Sequence, residues 1–173
     1  MLIFIPEFDT LKLKQAGDGS EAIVYQAGAD YVIKSYRRGL LNEKIIRNIK
    51  ITMALNHPYI NTPIDYKVVE NKNIEGGEYI EVLYKRMYDI RDNEFVDIIS
   101  MLDKGIRGFN NKLMKSIGEE ITRKGWEVHK ANIWGVIDAY NAILGYATST
   151  TALDIHEGNI MQDKKGLWKI IDF

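Results

Sequence analysis

Residues 17–25, with the sequence GDGSEAIVY, carry a pattern suited to holding phosphate groups. Glycines placed between two strands let the backbone approach a ligand closely and turn its N–H groups towards phosphate oxygens. Ala22 stands where such a loop has its third glycine, and the segment does not open a helix as a dinucleotide-binding fingerprint does. A plain hairpin turn would use the same residues, so both interpretations stay open for this segment.

Lys34 ends the apolar run YVIK, and Glu43 follows nine residues later at the start of a predicted helix. A lysine at this place could act as a point charge over the α- and β-phosphates of a nucleotide, with Glu43 holding it in position. The alternatives are a solvated strand end for the lysine and, for the glutamate, a surface residue that the helix dipole favours.

Asp154 and Asn159 flank a short loop near the end of the chain, and Asp172 follows an apolar run at 167–171. Two carboxylates and an amide can bind Mg²⁺ through oxygen and orient a hydroxyl group. Each of these residues alone is usually a turn or capping residue. Their order, with a predicted hairpin between the last two, favours a metal site.

The three histidines do not form a metal-ligand pattern in the sequence. His57 and His129 have no ligand spacing relative to His156, so we do not expect a zinc site. His156 is interpreted as a hydrogen-bonding residue of its loop, because Asp154 has the better position for a base. The chain has no cysteine, which excludes disulfides, thiolate metal sites and a cysteine nucleophile.

The composition is that of a folded globular chain. Its 173 residues are 46% hydrophobic and 27% charged, and 23 Lys and Arg against 24 Asp and Glu give a net charge of −1. These values argue against disorder and against a general binder of nucleic acids or membrane surfaces. The start, MLIFIPEFDT, lacks a basic region, and no run of about 20 apolar residues occurs, so neither a signal peptide nor a transmembrane helix is expected.

The first half of the chain alternates short apolar runs with glycine-containing turns, which predicts β-structure. Residues 38–55 instead carry apolar side chains at helical spacing, and Pro58 prevents this predicted helix from continuing. The predicted strands of this half cover residues 11–15, 22–26, 31–35, 64–70 and 79–87.

From about residue 88 the pattern changes to that of amphipathic helices. Apolar residues recur at i, i+3, i+4 and i+7 most regularly over 133–147, which predicts a long helix. Two shorter helices and a closing pair of strands are predicted near residues 95–102, 113–121, 159–162 and 167–171. The predicted order is therefore five strands with one helix after the third, then helices, then a terminal hairpin.

Together, these motifs resemble those of the protein-kinase-like superfamily over nearly the whole chain. The segments match in the order in which that superfamily carries them. Residues 17–24 resemble the glycine-rich loop, residues 32–34 the third-strand lysine motif, and Glu43 the helix-C glutamate. Residues 55–60 resemble the link to the fourth strand, residues 154–159 the catalytic loop, and residues 170–173 the metal-binding DFG segment.

The resemblance implies ATP and Mg²⁺ as cofactors, with ATP between two lobes and adenine near the linker 84–89. It implies that Asp154 orients or deprotonates the acceptor hydroxyl, and that Lys34, held by Glu43, contacts the α- and β-phosphates. The other implied residues are Asn159 and Asp172 for the metal, and Gly17, Asp18, Gly19, Ser20, Val24, Lys34 and Met87 for the nucleotide.

The fold that the resemblance implies is α+β and bilobal. Residues 1–87 are expected to form an N-lobe with a five-stranded antiparallel sheet and one helix, and 88–173 a helical C-lobe with the catalytic loop and a metal-binding hairpin. The sequence stops at Phe173, before the third DFG residue and the helices that usually form a peptide platform. We therefore expect a minimal or truncated C-lobe.

The catalytic-loop segment departs from that of typical eukaryotic-type protein kinases, which carry His-Arg before the catalytic aspartate. Ala152 and Leu153 stand there instead. The form D-x-H-x-G-N of residues 154–159 is more similar to aminoglycoside and choline phosphotransferases and to RIO-like and UbiB-like kinases. The short plan is also similar to that of small kinase-like proteins of bacteriophages.

Three functions stay open at this point: a serine/threonine protein kinase, a small-molecule phosphotransferase, and a pseudokinase that acts as a binding or inhibitory module. Retention of all the implied catalytic residue types argues against the pseudokinase, whereas the missing helices favour it. The expected partners are ATP and either a protein substrate or a small hydroxylated molecule, without nucleic acid or membrane. The expected location is the cytoplasm, that of a bacterial host if the chain is phage-encoded.

Overall fold

A five-stranded antiparallel sheet, a two-stranded sheet and four α-helices, counted over the residues that the structure describes, make this an α+β protein. The computed structural model describes residues 13–18, 22–36, 42–70, 77–106, 111–146 and 156–171. The chain divides into two compact units. The first unit comprises Met1–Asn56 and Thr62–Arg86, and the second comprises His57–Asn61 and Met87–Phe173.

The larger sheet belongs to the first unit. Its strands are β1 (Gln15–Asp18), β2 (Ile23–Ala27), β3 (Tyr31–Tyr36), β4 (Asp65–Glu70) and β5 (Glu78–Lys85), and the helix α1 (Asn42–Leu55) follows β3 in the chain. The strand order is β1-β2-β3-β5-β4, and all neighbours are antiparallel. Gly28 lies in the turn from β2 to β3 with φ of 78°, a left-handed conformation that favours glycine.

Apolar side chains pack against both faces of this sheet. On one face, Ile45 of α1 packs against Ile80 and Val82 of β5. On the other face, Ile33 of β3 and Leu83 of β5 belong to a second cluster. Successive side chains of a strand point to opposite faces, so the central strand β5 is buried along most of its length.

One carboxylate is buried in β5 as well. Glu81 is 2% exposed, and its Oε2 lies 3.1 Å from Nζ of Lys67, the residue directly opposite on β4. A buried charge is tolerated when it is paired, so the lysine offsets the cost of burying this acid.

The second unit consists of helices followed by a hairpin, and the predicted order of elements is confirmed. Its elements are α2 (Phe95–Ile106), α3 (Asn111–Lys124), a 3₁₀ helix (Trp126–His129), α4 (Lys130–Tyr146), a second 3₁₀ helix (Glu157–Asn159), β6 (Ile160–Gln162) and β7 (Trp168–Ile170). A membrane-spanning helix is not found in the described part of the chain, because no helix there combines sufficient length with apolar composition.

Trp168 of β7 belongs to the core of the second unit. Its side chain is 2% exposed, and the ring of Phe95 meets it edge-on with 5.0 Å between the ring centroids. Edge-to-face packing is a favoured arrangement for two aromatic rings. The long helix α4 adds a buried stripe that includes Ile133, Val136 and Ile137.

Residues 57–61 extend the hairpin of the second unit. The N–H of Ile170 donates to the carbonyl of Tyr59 at 2.9 Å, and the N–H of Asn61 donates to the carbonyl of Ile170 at 2.9 Å. The Tyr59 ring also covers Gly135 of α4, where an added Cβ would lie 2.1 Å from the ring. Glycine at 135 therefore lets this segment pack against the helix.

Residues 11 and 12 of the predicted first strand lie outside the described residues, and over 13–18 the strand is displaced from its predicted limits. The other strands begin and end within about two residues of theirs. The sequence predicts a strand over 11–15 and a glycine turn after it, but β1 runs over Gln15–Asp18 and includes Gly17. The pairing register shifts between Gln15 and Gly17, which marks a bulge in β1. Glycine tolerates the backbone conformations of bulges, so the ladder continues into the glycine segment.

Candidate functional site

Three of the residues predicted to bind nucleotide lie in one row across the larger sheet. Gly17 of β1 is opposite Val24 of β2, and Val24 is opposite Lys34 of β3. Directly opposed residues of antiparallel strands present their side chains on the same face. The side chains of Val24 and Lys34 therefore share one face, with the glycine backbone beside them.

This row lies on the face that α1 covers. Val82 of β5 is opposite Lys34, and it packs with Ile45 and Ile49 of α1. Lys34 is partly buried, with its Nζ 5.3 Å from the centroid of the Tyr36 ring. The face of an aromatic ring attracts a cation, so Tyr36 helps to position the lysine charge.

Glu43, the predicted partner of Lys34, is exposed on α1. Each residue of an α-helix is rotated by about 100° from the one before, so the side chains of Glu43 and Ile45 differ in direction by about 200°. Ile45 packs against the sheet, and Glu43 therefore points away from that side. Its pairing with Lys34 remains a prediction.

Asn159, a predicted metal ligand, ends the second 3₁₀ helix. Its carbonyl accepts from the N–H of Ile171 at 2.9 Å, and its own N–H donates to the carbonyl of His156 at 2.9 Å. Nδ1 of His156 accepts from the N–H of Gly158 at 3.0 Å, which confirms the predicted hydrogen-bonding role of this histidine. A Cβ at Gly158 would lie 2.7 Å from the His156 ring, so the turn requires glycine.

Part of the predicted site lies outside the residues that the structure describes. This holds for Gly19 and Ser20 of the glycine-rich segment, for the predicted base Asp154 and for the predicted metal ligand Asp172. The backbone of Asp18 is described as the last residue of β1. These assignments remain predictions.

An open cavity of about 350 Å³ includes one residue of the predicted adenine linker. It is lined by Tyr88, Gln162, Asp163, Lys164 and Gly166. Two backbone hydrogen bonds of 2.8 and 2.9 Å join Tyr88 to Gln162 and fix the positions of these two lining residues. None of the predicted site residues that the structure describes lines the cavity, although the partly buried Met87 directly precedes Tyr88.

Asp92, Glu94 and His129 form a second group of ionisable side chains, which the sequence does not predict. Nε2 of His129 lies 3.2 Å from Oδ2 of Asp92 and 3.3 Å from Oε2 of Glu94. One potential ligand atom from each residue lies within 4.8 Å of the others. The signal in the sequence is an Asp-x-Glu pattern before α2, but its histidine is distant in the chain. The expectation of no zinc site considered only the spacing among histidines.

A shifted pKa is found in a pair on α3, outside these groups. Nε of Arg123 donates to the Glu120 carboxylate at 2.8 Å. This hydrogen bond lowers the pKa of Glu120 and raises the pKa of Arg123. The pair faces solvent, where such interactions contribute little to stability.

Neither a protein-family model nor a curated protein sequence matches this chain.

Proposed function

We propose that this chain is a phosphotransferase that uses ATP and Mg²⁺ and has the bilobal protein-kinase-like fold. The observation that carries the proposal is the row formed by Gly17, Val24 and Lys34 on three neighbouring strands. A glycine backbone and a lysine cation are groups that bind phosphate, and an apolar side chain between them suits the nucleoside. The sequence motif and the strand register thus agree on one face of one sheet.

The order of elements supports the same proposal. The resemblance implies five antiparallel strands with one helix after the third, then helices and a hairpin, and the described elements follow this order. The face on which Lys34 lies is also the face covered by α1, the helix in the place of helix C.

The proposed metal ligands are Asn159 and Asp172. Ile171, the residue before Asp172, donates its N–H to the carbonyl of Asn159 at 2.9 Å. Amide and carboxylate oxygens are hard ligands that suit Mg²⁺. In this site bound Mg²⁺ neutralises phosphate charge, and ATP supplies the phosphoryl group.

The chain's own residues act mainly by positioning and by charge. Lys34 holds the α- and β-phosphates as a point charge, and Val24 faces the nucleoside. Asp154 orients the acceptor hydroxyl and takes its proton on a carboxylate oxygen. Glu43 is left out of the proposed site because its side chain is exposed.

The proposed acceptor is a serine or threonine hydroxyl of a protein. The alternative is a hydroxyl of a small molecule, which the D-x-H-x-G-N form of 154–159 favours by resemblance. A different class of function, a nucleotide-binding module without transfer, is favoured by the exposure of Glu43, because active kinases pair this residue with the strand lysine.

Thermal unfolding with and without ATP and Mg²⁺ tests nucleotide binding first. At about one hundred times Kd, a ligand that binds the native state stabilises it by about 2.7 kcal/mol. For a chain of this size this corresponds to about 5–10 °C in Tm. Lys34→Met should lose most of the shift, whereas Lys50→Met, at an exposed position of α1, should keep it. Absence of a shift in the unchanged protein would contradict the proposal.

Incubation with γ-labelled ATP then separates the functions. Label transferred to protein, and lost in Asp154→Ala, supports the protein kinase. Turnover only with added hydroxylated small molecules supports the alternative acceptor. A nucleotide-dependent Tm shift without transfer to either acceptor supports the binding module.

A further inference from the structure

The side chains of Asp92, Glu94 and His129 converge on one point in the second unit. Nε2 of His129 is 3.2 Å from one carboxylate oxygen and 3.3 Å from the other. This nitrogen is fully enclosed, yet it makes no hydrogen bond to any group in the described part of the chain. Burying a polar atom without a hydrogen bond costs free energy, and a ligand bound to this nitrogen would offset that cost.

A direct ion pair alone leaves this nitrogen without a hydrogen bond. A protonated imidazole bonded to a carboxylate brings nitrogen and oxygen to about 2.7–2.9 Å with the N–H aimed at the oxygen. Here the nitrogen lies within ion-pair distance of both carboxylates, but it forms a hydrogen bond with neither.

A four-coordinate metal ion accounts for the two nitrogen–oxygen distances. Zinc binds imidazole nitrogen and carboxylate oxygen at about 2.0–2.1 Å in tetrahedral geometry, which separates two ligand atoms by about 3.3 Å. The measured separations of His129 Nε2 from Asp92 Oδ2 and Glu94 Oε2 are 3.2 and 3.3 Å. They therefore match two edges of such a tetrahedron.

The backbone and the core hold these side chains in place. Oδ1 of Asp92 accepts from the N–H of Glu94 at 2.9 Å, which leaves Oδ2 to face the histidine. The ring of His129 stacks on Trp168, with 5.4 Å between centroids and 28° between planes. Trp168 in turn packs on Phe95, the first residue of α2. Ligands oriented in advance by such contacts lose little freedom on binding a metal.

We propose that Asp92, Glu94 and His129 bind one divalent transition-metal ion of the zinc type. The fourth ligand is a water molecule on the solvent side, where the carboxylate side chains are 40% and 45% exposed. An imidazole ligand selects zinc-like ions over Mg²⁺, which prefers six oxygen ligands. This metal site shares no residue with the nucleotide site proposed above. The two proposals are therefore independent of each other.

Titration of the full chain with Zn²⁺, after removal of metals with a chelator and without nucleotide, tests the proposal. The expected result is one Zn²⁺ bound per chain by calorimetry, together with a rise in Tm. Co²⁺ at the same site should give the intense visible absorption of four-coordinate cobalt. An excess of Mg²⁺ should not displace either ion.

Glu94→Gln is the decisive variant, because this exposed side chain can lose its charge without disturbing the fold. Its Zn²⁺ affinity should fall about tenfold or more, since even outer-shell changes at metal sites cost about that much. His129→Gln should abolish the cobalt spectrum. The matched control is His57→Gln, which removes the histidine that bonds to Asp138 and should leave Zn²⁺ binding unchanged.

Failure to bind one Zn²⁺ per chain overturns the proposal, and so does equal affinity of Glu94→Gln and the unchanged protein. Displacement of Zn²⁺ by Mg²⁺ would overturn the assignment of the metal class. Circular dichroism of Glu94→Gln verifies that a loss of binding does not come from unfolding.

Discussion

Two histidines of the second unit face carboxylates, and they do so in different ways. His57 Nε2 is 3.0 Å from Oδ2 of Asp138, whose side chain is 80% exposed, and the two atoms form a hydrogen bond. His129 Nε2 faces the two carboxylates of Asp92 and Glu94 and forms a hydrogen bond with neither. Both nitrogens lie near acids, but only the first has a directed partner.

The second ring nitrogen of His57 completes this contrast. Its Nδ1 accepts from the N–H of Tyr59 at 3.2 Å, so its Nε2 carries the proton that Asp138 accepts. His57 thus uses both nitrogens within the fold. Nearness of a histidine to carboxylates therefore does not by itself indicate a metal site. The additional feature on which the proposed zinc site rests is an enclosed nitrogen without a hydrogen bond.

The largest expected effect comes from removing the aromatic support of His129. Trp168→Ala deletes a buried ring and should lower the free energy of unfolding by about 3–5 kcal/mol. Tyr59→Ala, at the partly buried ring next to His57, should cost less. Urea denaturation measures both. An equal loss in the two variants would remove the distinction between a core-supported and a surface-supported histidine.

Gly135→Ala should have the next largest effect, because it acts on the His57 side of the comparison. The new Cβ would stand 2.1 Å from the Tyr59 ring, and relief of such overpacking costs about 1–3 kcal/mol. Gly118→Ala on α3 meets nothing within 4 Å and should instead stabilise the protein by up to about 1 kcal/mol. Thermal and urea unfolding of both variants measure these changes in stability, which should have opposite signs. If the Tyr59 ring can move aside without cost, Gly135→Ala will not destabilise the protein and the prediction fails.

Asp92→Ala and Asp138→Ala compare the acids directly. Asp92 also accepts the N–H of Glu94, so its loss should cost about 1 kcal/mol in metal-free protein. Asp138 is mostly exposed, and its loss should cost about 0–0.5 kcal/mol. Unfolding curves in the presence of a chelator give both values. A larger loss for Asp138 would show that the His57 pair is the stronger of the two.

The smallest effect is expected at Glu120, which forms an exposed ion pair with Arg123. This pair shows how little a solvent-exposed contact between an acid and a base contributes to stability. Arg123 lowers the pKa of Glu120 in the folded state, so the pair stabilises the protein above the ordinary carboxyl range. This contribution is lost as the pH falls through the lowered pKa. Glu120→Gln should thus reduce Tm slightly at pH 7 and not at low pH. Glu119→Gln, at a looser pair of 3.8 Å with Lys115, is the control for a general charge effect.

The sequence predicts more of the fold than of the candidate site. Short apolar runs and turns depend on neighbours in sequence, so the order of strands and helices is confirmed. The strand with Gly17 is misplaced because a bulge lets the ladder continue where glycine usually signals a turn. Pairing of Lys34 with Val24 depends on register, which the turn at Gly28 sets.

The site depends on directions that sequence spacing does not determine. Glu43 is at the predicted place in α1, but the rotation of the helix puts its side chain on the exposed side. His129 meets Asp92 and Glu94 because separate elements pack around Trp168. No local pattern contains that information. By contrast, the bond between His156 and Gly158 spans two residues, and its role was predictable.

Residues 57–61 belong to the second unit, although the chain on both sides of them belongs to the first. The backbone therefore passes from one unit to the other at 56–57, at 61–62 and at 86–87, and neither unit is a continuous piece of chain. A fragment beginning at Met87 would lack Tyr59 and the backbone groups that bond to Ile170. Cleavage at 86–87 alone would leave residues 57–61 hydrogen-bonded to Ile170, so the two pieces should associate after a cut, much as the parts of a split protein do.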